Sequence, residues 1–448
     1  MIDWPVFLSP DARLAFWTIL CGVVCNASCA IIGCYLVLRR MSLLGDAISH
    51  AVLAGIAVAF LLTGSLAPLP VFIGAVTVGL LTAFLTQSLA TWGRITEDSS
   101  MGIVFTSLFA IGVIIVSQID GVHLDTDCVL YGSIDTAPVE IITVAGYDIP
   151  HMLQILVPMT VLTLLFVIAF WKELKIASFD PLLATTMGIG ASFMHYLLMA
   201  MVAGVTVSSL EAVGAIVVVA MLIVPPATAH LLTDRLGWML VWSVAIGGVS
   251  AVLGYWGAVR FDTNVAGMMA VAAGGQFTLA VAFAPKHGLL SRAIGRMQLA
   301  LRIAAEDVIA KLYRLEEQAA ESTNRVDVSR KECEHLAGAG WIGRLAILVL
   351  SRRKQLATSA SGQWHLTTTG RELGRSLVRS HRLWETFLDE NFELPPDHLH
   401  EPAERLEHFI GPQLQARLVQ ELAQSRTDPQ GKVIPPGEAA NDSEHAAE

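Results

Sequence analysis

Two sets of residues have types and spacings that could do chemistry. The first is Asp46 and His50 in Ser42-Leu43-Leu44-Gly45-Asp46-Ala47-Ile48-Ser49-His50-Ala51-Val52-Leu53-Ala54-Gly55, the head of an apolar stretch that runs to Leu62. Four residues make about one helical turn, so a helix puts the carboxylate and the imidazole on one face. A carboxylate at mid-bilayer costs roughly 2.5–3.5 kcal/mol on insertion scales, which argues that a chain keeping one there uses it. First-row divalent metals accept both side chains as ligands. An internal Asp–His pair that only pins helices is the competing reading. The second set lies near the C-terminus. His381 and Glu385 are again one turn apart, and His400, Glu404 and His408 share a helical face with Glu407 beside them. Nitrogen and oxygen donors on two neighbouring helices suit a divalent transition metal. A solvated helix face rich in Glu, His and Arg would carry the same pattern.

The elements that must position these residues follow from the distribution of apolar side chains. Hydrophobic residues make up 54% of the 448, charged residues only 15%, and the mean hydropathy is +0.59. That excludes an ordinary soluble enzyme. Runs of about 17–25 apolar residues, the length that crosses a bilayer as a helix, recur through residues 1–290 and are absent from 300–448. The expected spans are 14–37, 45–62, 70–91, 101–117, 152–171, 190–207, 211–231, 237–257 and 266–284. A broken element around Ser208-Ser209 would reduce nine spans to eight. The acidic residues 1–12 and the long first run read as an anchor rather than a cleaved signal.

Under nine spans, Arg39, Arg40, Arg94, Lys172, Lys175, Arg235, Lys286, Arg292 and Arg296 fall on one side, and only Arg13 and Arg260 on the other. The positive-inside rule makes the first side cytoplasmic, with the C-terminal part. Cys21, Cys25 and Cys29 line one face of the first span with Cys34 near its end. Small residues packing between helices explain them, and no structural disulfide is expected. Asn26, His195, Glu211 and His230 are further intramembrane polar residues, read mainly as structural. His123, Asp125 and Asp127 alternate in an external loop.

Arg39-Arg40-Met41 and the Asp46/His50 segment that follows resemble the second-span signature of the permease family in ABC importers for zinc, manganese and iron. Glu97-Asp98-Ser99-Ser100-Met101-Gly102-Ile103-Val104-Phe105, Leu130-Tyr131-Gly132-Ser133, Ser178-Phe179-Asp180-Pro181-Leu182-Leu183-Ala184-Thr185-Thr186-Met187-Gly188 and the Val213-Gly214 to Ala229 stretch resemble later family segments in the same order. The resemblance covers residues 12–290. It implies a homodimer of permeases in the cell membrane, separate ABC ATPase subunits and an extracytoplasmic metal-binding protein. It makes Asp46 and His50 translocation-path residues. Phe179, Asp180, Pro181, Leu182, Leu183, Ala184 and Gly188 become the segment that couples to the ATPase. Independently, Asp180-Pro181 reads as a helix start, a cap followed by proline at the first helical position. No Gly-x-x-x-x-Gly-Lys-Ser/Thr phosphate loop is present, so ATP hydrolysis is assigned to a partner and the chain is expected to bind no nucleotide.

Residues 291–302 read as a basic linker. Helical patterns at about 305–317, 328–338 and 341–353, then short extended pieces at 356–358 and 364–366, give a winged-helix order over 303–370. Leu366-Thr367-Thr368-Thr369-Gly370-Arg371-Glu372-Leu373, the His/Glu cluster and Gly431-Lys432-Val433-Ile434-Pro435 are similar to the iron- and manganese-dependent repressors of the diphtheria-toxin-repressor type. That resemblance makes 371–436 a metal-binding and dimerisation domain. His381, Glu385 and His400 would form one ligand group, and Glu404, Glu407 and His408 another, with Asp307 supplied by the N-terminal helix. Ala310 stands where manganese-sensing members carry a carboxylate. The segment at the recognition-helix position, Gly340-Trp341-Ile342-Gly343-Arg344-Leu345-Ala346-Ile347-Leu348-Val349-Leu350, lacks the Ser, Thr, Gln and Asn that read DNA, which argues against sequence-specific binding. Residues 437–448 read as a disordered tail.

The expected fold is thus an all-α polytopic membrane protein of eight or nine transmembrane helices, followed by an α-rich winged-helix and metal-binding domain. The expected function is a non-enzymatic permease for manganese, zinc or iron, with that metal as substrate and as a regulator read by the cytoplasmic domain. The alternative is a membrane-tethered, metal-responsive transcriptional regulator.

Overall fold

The computed structural model describes residues 10–41, 43–65, 68–118, 132, 134–137, 139, 141–144, 147–320, 328–338, 340–359, 362–392, 395, 399–422 and 426–436. The chain divides into two compact units, Met1–Ser291 and Arg292–Glu448.

The first unit contains α1 (Pro10–Leu38), α2 (Leu44–Thr63), α3 (Pro68–Gly93), α4 (Glu97–Ser117), the hairpin β1 (Ile141–Val144) and β2 (Tyr147–Pro150), then α5 (His151–Ala169), α6 (Trp171–Phe179), α7 (Pro181–Thr186), α8 (Ala191–Leu232), α9 (Leu236–Phe261) and α10 (Val265–Phe283). Among the described residues, nine helical stretches are long and apolar enough to cross a membrane. Two of them lie within α8, as Ala191–Leu210 and Ala212–Leu232. A straight helix of 42 residues would be about 63 Å long, twice a hydrocarbon core.

The break falls at Gly214, with φ 74° and ψ 164°, and not at Ser208-Ser209. The Ser208 hydroxyl donates to the Val205 carbonyl at 3.0 Å and so stays within the helix, whereas Gly214 takes a backbone conformation that only glycine adopts freely. Gly132 packs against the break: a Cβ there would lie 2.4 Å from the Gly214 nitrogen. Two segments far apart in sequence, Gly132 and Val213-Gly214, therefore meet.

Close backbone approach orders the rest of the unit. A Cβ on Gly33 of α1 would sit 1.9 Å from the Leu222 carbonyl oxygen in α8, and one on Gly55 of α2 would sit 2.5 Å from the Gly74 carbonyl oxygen in α3. Small residues let membrane helices associate by packing where lipid tails offer no hydrophobic drive. Asn26, buried in α1, donates to the Gly247 carbonyl in α9 at 3.0 Å, and Arg39 donates to the Ser178 hydroxyl at 3.1 Å with His195 at 3.5 Å from its guanidinium. These polar groups pin helices to one another, and His230 is exposed. Cys21, Cys25, Cys29 and Cys34 are buried free thiols. The hairpin β1–β2, paired from Ile141↔Pro150 to Val144↔Tyr147, is an addition to the all-helical expectation. His123, Asp125, Asp127 and Cys128 lie outside the described residues, as does the 437–448 tail.

The second unit begins inside α11 (Leu289–Ala320). Residues 291–302, expected as a linker, are therefore helical: they carry no Pro and only one Gly, and the apolar spacing of the following turns continues through them. Next come α12 (Arg330–Leu336), α13 (Trp341–Arg352), β3 (Leu356–Thr358), β4 (Trp364–Leu366), α14 (Thr368–Asn391), α15 (His400–Leu406) and α16 (Pro412–Glu421). Ser329 and Glu332 form a reciprocal capping box on α12, and the Thr367 hydroxyl caps α14 by accepting from Gly370 N at 3.1 Å. The strands pair antiparallel, Leu356↔Leu366 to Thr358↔Trp364, and Val328 bridges Trp364. Val308, Ile309, Ala310, Leu312, Cys333, Ala346, Ile347, Leu350, Leu366 and Val378 make one core, so Ala310 is a packing residue here.

Candidate functional site

Asp46 lies in the first turn of α2, and His50 one turn on. His50 Nε2 and Asp46 Oδ1 are 3.4 Å apart, with side chains 38% and 41% exposed, while the helix buries Gly45, Ala47, Ile48, Ser49 and Ala51. The pair thus shares one open face of an otherwise packed helix. Gly45 lets α2 come close to α8, where a Cβ would meet Leu222 Cδ1 at 2.8 Å. The imidazole stacks near Phe105 of α4, with centroids 5.7 Å apart, and lies edge-on to Phe109 at 5.9 Å. Two side chains with metal-ligating atoms thus stand half open on one face of α2. A permeating ion needs few ligands, because it must leave again.

The segment after α6 is shaped by local chemistry. Asp180 Oδ1 accepts from Leu183 N at 2.9 Å, Pro181 opens α7, and Gly188 with φ 79° ends the turn. Ala184 is buried, whereas Phe179, Leu182, Leu183 and Met187 are exposed. A capped knob of apolar side chains results.

The second unit gathers the C-terminal cluster. His381, Glu385 and His400 bring ligand atoms together, as do Asp307, Glu407 and His408, each set within 4.8 Å. In the first set, Glu385 Oε1 is 3.4 Å from His381 Nε2 and 3.0 Å from His400 Nδ1, and the two histidine nitrogens are 3.1 Å apart. Donors on one ion at about 2.0–2.2 Å stand roughly 3 Å from one another, so the set fits a divalent metal. In the second set, His408 Nε2 is 3.1 Å from Asp307 Oδ1. His381 Nδ1, 2.7 Å from Glu407 Oε2, joins the sets. Arg314 donates to the same Glu407 oxygen at 3.0 Å.

Two residues were not legible as members. Glu306 Oε2 lies 2.9 Å from His408 Nδ1 while its other oxygen accepts from Arg302 at 2.8 Å; only the Arg302–Glu306 spacing hinted at it. Gln430 Nε2 reaches Glu385 Oε1 at 3.5 Å from a C-terminal strap, whose carbonyls at Val433, Pro435 and Pro436 accept from Arg382, Arg379 and Arg375. Glu404 joins neither group among the described residues, whereas Asp307, also expected, stands in the second.

Burial opposes charge at His408, yet hydrogen bonds to Asp307 and Glu306 outweigh it and raise the imidazole to about 9. His381 is likewise raised, burial being offset by Glu385 and Glu407. Glu385 and Glu306 are lowered, because their histidine partners overcome burial.

Nine stretches among the described residues that are long and apolar enough to span a membrane, joined to a winged-helix unit with a dense His/Glu cluster, define a polytopic transport protein with an appended repressor-like unit. The chain belongs to the ABC 3 transport family, whose model matches residues 11–284. Residues 367–436 match the metal binding and dimerisation domain of iron dependent repressors. The chain is 47% identical over 285 residues to the manganese transport system membrane protein MntD of Bacillus subtilis, covering 63% of this chain and 96% of that protein. It is 38% identical over 340 residues to the zinc transport system membrane protein TroD of Treponema pallidum, covering 74% and 89%. Among solved structures it is similar to PsaBC from Streptococcus pneumoniae in complex with Fab, with TM-score 0.52, 33% identity and coverage of 61% of this chain and 92% of that one.

Proposed function

We propose that this chain is the permease subunit of an ABC importer for a divalent transition metal, of the manganese and zinc class its relatives are named for. The observation that carries the proposal is the Asp46–His50 pair, one turn apart on the open face of α2 inside the family-matched region. Each subunit of a homodimer would contribute two ligands, completed by water. An extracytoplasmic binding protein would deliver the ion. The exposed Phe179, Leu182, Leu183 and Met187 would seat in a separate ATPase. The second unit faces the cytoplasm, where His381, Glu385, His400, Asp307, Glu407 and His408 bind the arriving metal and brake transport. The brake requires that bound metal favour one transporter state over another.

Uptake of radioactive manganese or zinc in metal-starved cells tests the reading. Asp46→Ala and His50→Ala should each lower uptake by about tenfold or more with unchanged membrane abundance, the effect of losing a ligand in a sparse site. Unchanged uptake by both variants overturns it. The alternative of a membrane-tethered transcriptional regulator is set aside: the exposed face of α13 is led by Trp341, Leu345 and Leu348, side chains that do not read base edges.

A further inference from the structure

The helix at the recognition position of the winged-helix unit has a face that neither transport nor metal binding explains. In α13, Gly343, Ala346, Ile347 and Leu350 are buried. The opposite stripe carries Trp341, Leu345 and Leu348 at 56%, 42% and 46% exposure, and Arg352 continues it one turn further. The spacing i, i+4, i+7, i+11 is one helical face. Arg352, Arg353 and Lys354 are exposed and make no ion pair among the described residues, while Arg344 has Glu334 at 3.7 Å.

We propose that this face of α13 docks on an anionic membrane surface. An aromatic anchor followed by leucines, ending in a run of cations, is the composition of a helix that lies in the headgroup boundary. Each Lys or Arg near an anionic leaflet adds attraction, and long basic side chains can keep their charge in the headgroups while their stems lie on the apolar layer. The chain supplies the proximity: residues 284–288 alone separate α10, the last span, from α11, and Gly288 N donates to Ala284 O at 3.0 Å within them. A weak surface helix in a unit joined so directly to the last span meets membrane at raised effective concentration. Duplex DNA and a second copy of the chain are the rival occupants. The three apolar side chains favour lipid over DNA, and the unpaired cations favour an anionic surface over a copy of themselves. The inference rests on the reading that this unit faces the cytoplasmic leaflet, but lipid binding itself is measurable whichever way the chain is inserted.

The test uses the full-length protein in nanodiscs of phosphatidylcholine with and without phosphatidylglycerol, followed by hydrogen–deuterium exchange. Amides of 341–352 should exchange at least about threefold more slowly with phosphatidylglycerol, while the central turns of α14 do not change. High salt should remove the difference, as should Arg352→Glu/Arg353→Glu/Lys354→Glu, which alters only exposed side chains. Equal exchange in both lipids overturns the proposal. So does equal protection in detergent, which would mean a protein surface covers the helix, or protection by duplex DNA with none by phosphatidylglycerol. Labelling of Ser359→Cys from either side of sealed vesicles reports the orientation separately.

Discussion

The Asp46–His50 pair and the cluster around His381 present the same kinds of donor atom in opposite arrangements. The pair has two candidate ligands, half exposed and 3.4 Å apart, on one helix. The cluster has six, drawn from α11, α14, α15 and the turn after α15, with His381, Glu385 and Glu407 almost fully buried. A site that passes ions on needs incomplete ligation, whereas one that registers their concentration needs enough ligands to hold them. The supports differ as well. Glycines that bring backbones together position the membrane pair. A charge network positions the cluster, with Arg314, Arg302 and the Gln430 strap holding the carboxylates and histidines.

Equilibrium metal binding should break or confirm this contrast most sharply. In full-length protein titrated with manganese, His381→Ala should weaken the tightest binding on the order of a hundredfold, and Asp46→Ala should leave it unchanged. Equal losses would mean that the pair is also a storage site. Next in size is Gly214→Ala. An alanine at φ 74° and ψ 164° should cost about 1–3 kcal/mol, read as a lower melting temperature and lower uptake with metal affinity of the second unit unchanged. Within the cluster, Glu407→Gln should weaken metal binding about tenfold, because Glu407 touches His381 and Arg314, while Glu404→Gln should stay within about twofold.

The smallest effect is in pH. His408 is raised from 6.5 to about 9, so in metal-free protein its contribution to stability is fully present below about 6.5 and is lost as pH rises through 9. The melting temperature of the second unit should fall by about 2–4 °C over that window, and His408→Gln should flatten the slope. Bound metal should reverse the trend: an imidazole must shed its proton to ligate, so affinity rises with pH and binding releases protons. A melting temperature that is flat with pH in the absence of metal would remove the His408–Asp307–Glu306 network from the account.

Much of both sites could be read along the chain because helical spacing alone places residues on faces. Asp46 with His50, and His381 with Glu385, are one turn apart, and Asp180-Pro181 announces its own helix. Contacts between distant segments could not be read that way. Glu306 reaches His408 only because α11 packs against the turn after α15, and the same packing leaves Glu404 outside both ligand sets among the described residues. The break expected around Ser208-Ser209 falls instead at Gly214, because the Ser208 hydroxyl bonds back to the preceding turn while Gly214 takes a positive φ.

Composition and periodicity by themselves determined that the chain has a spanning region and a polar region, where most helices lie, and which side chains are chemically able to hold a metal. These are local consequences of hydrophobicity and helical repeat. Tertiary structure decided the remainder: the turn at Gly214 against Gly132, the closeness of α2 to α8 at Gly45, and the joining of two ligand sets through His381 and Glu407. Each depends on which backbone can approach which, and that is fixed only when distant helices pack.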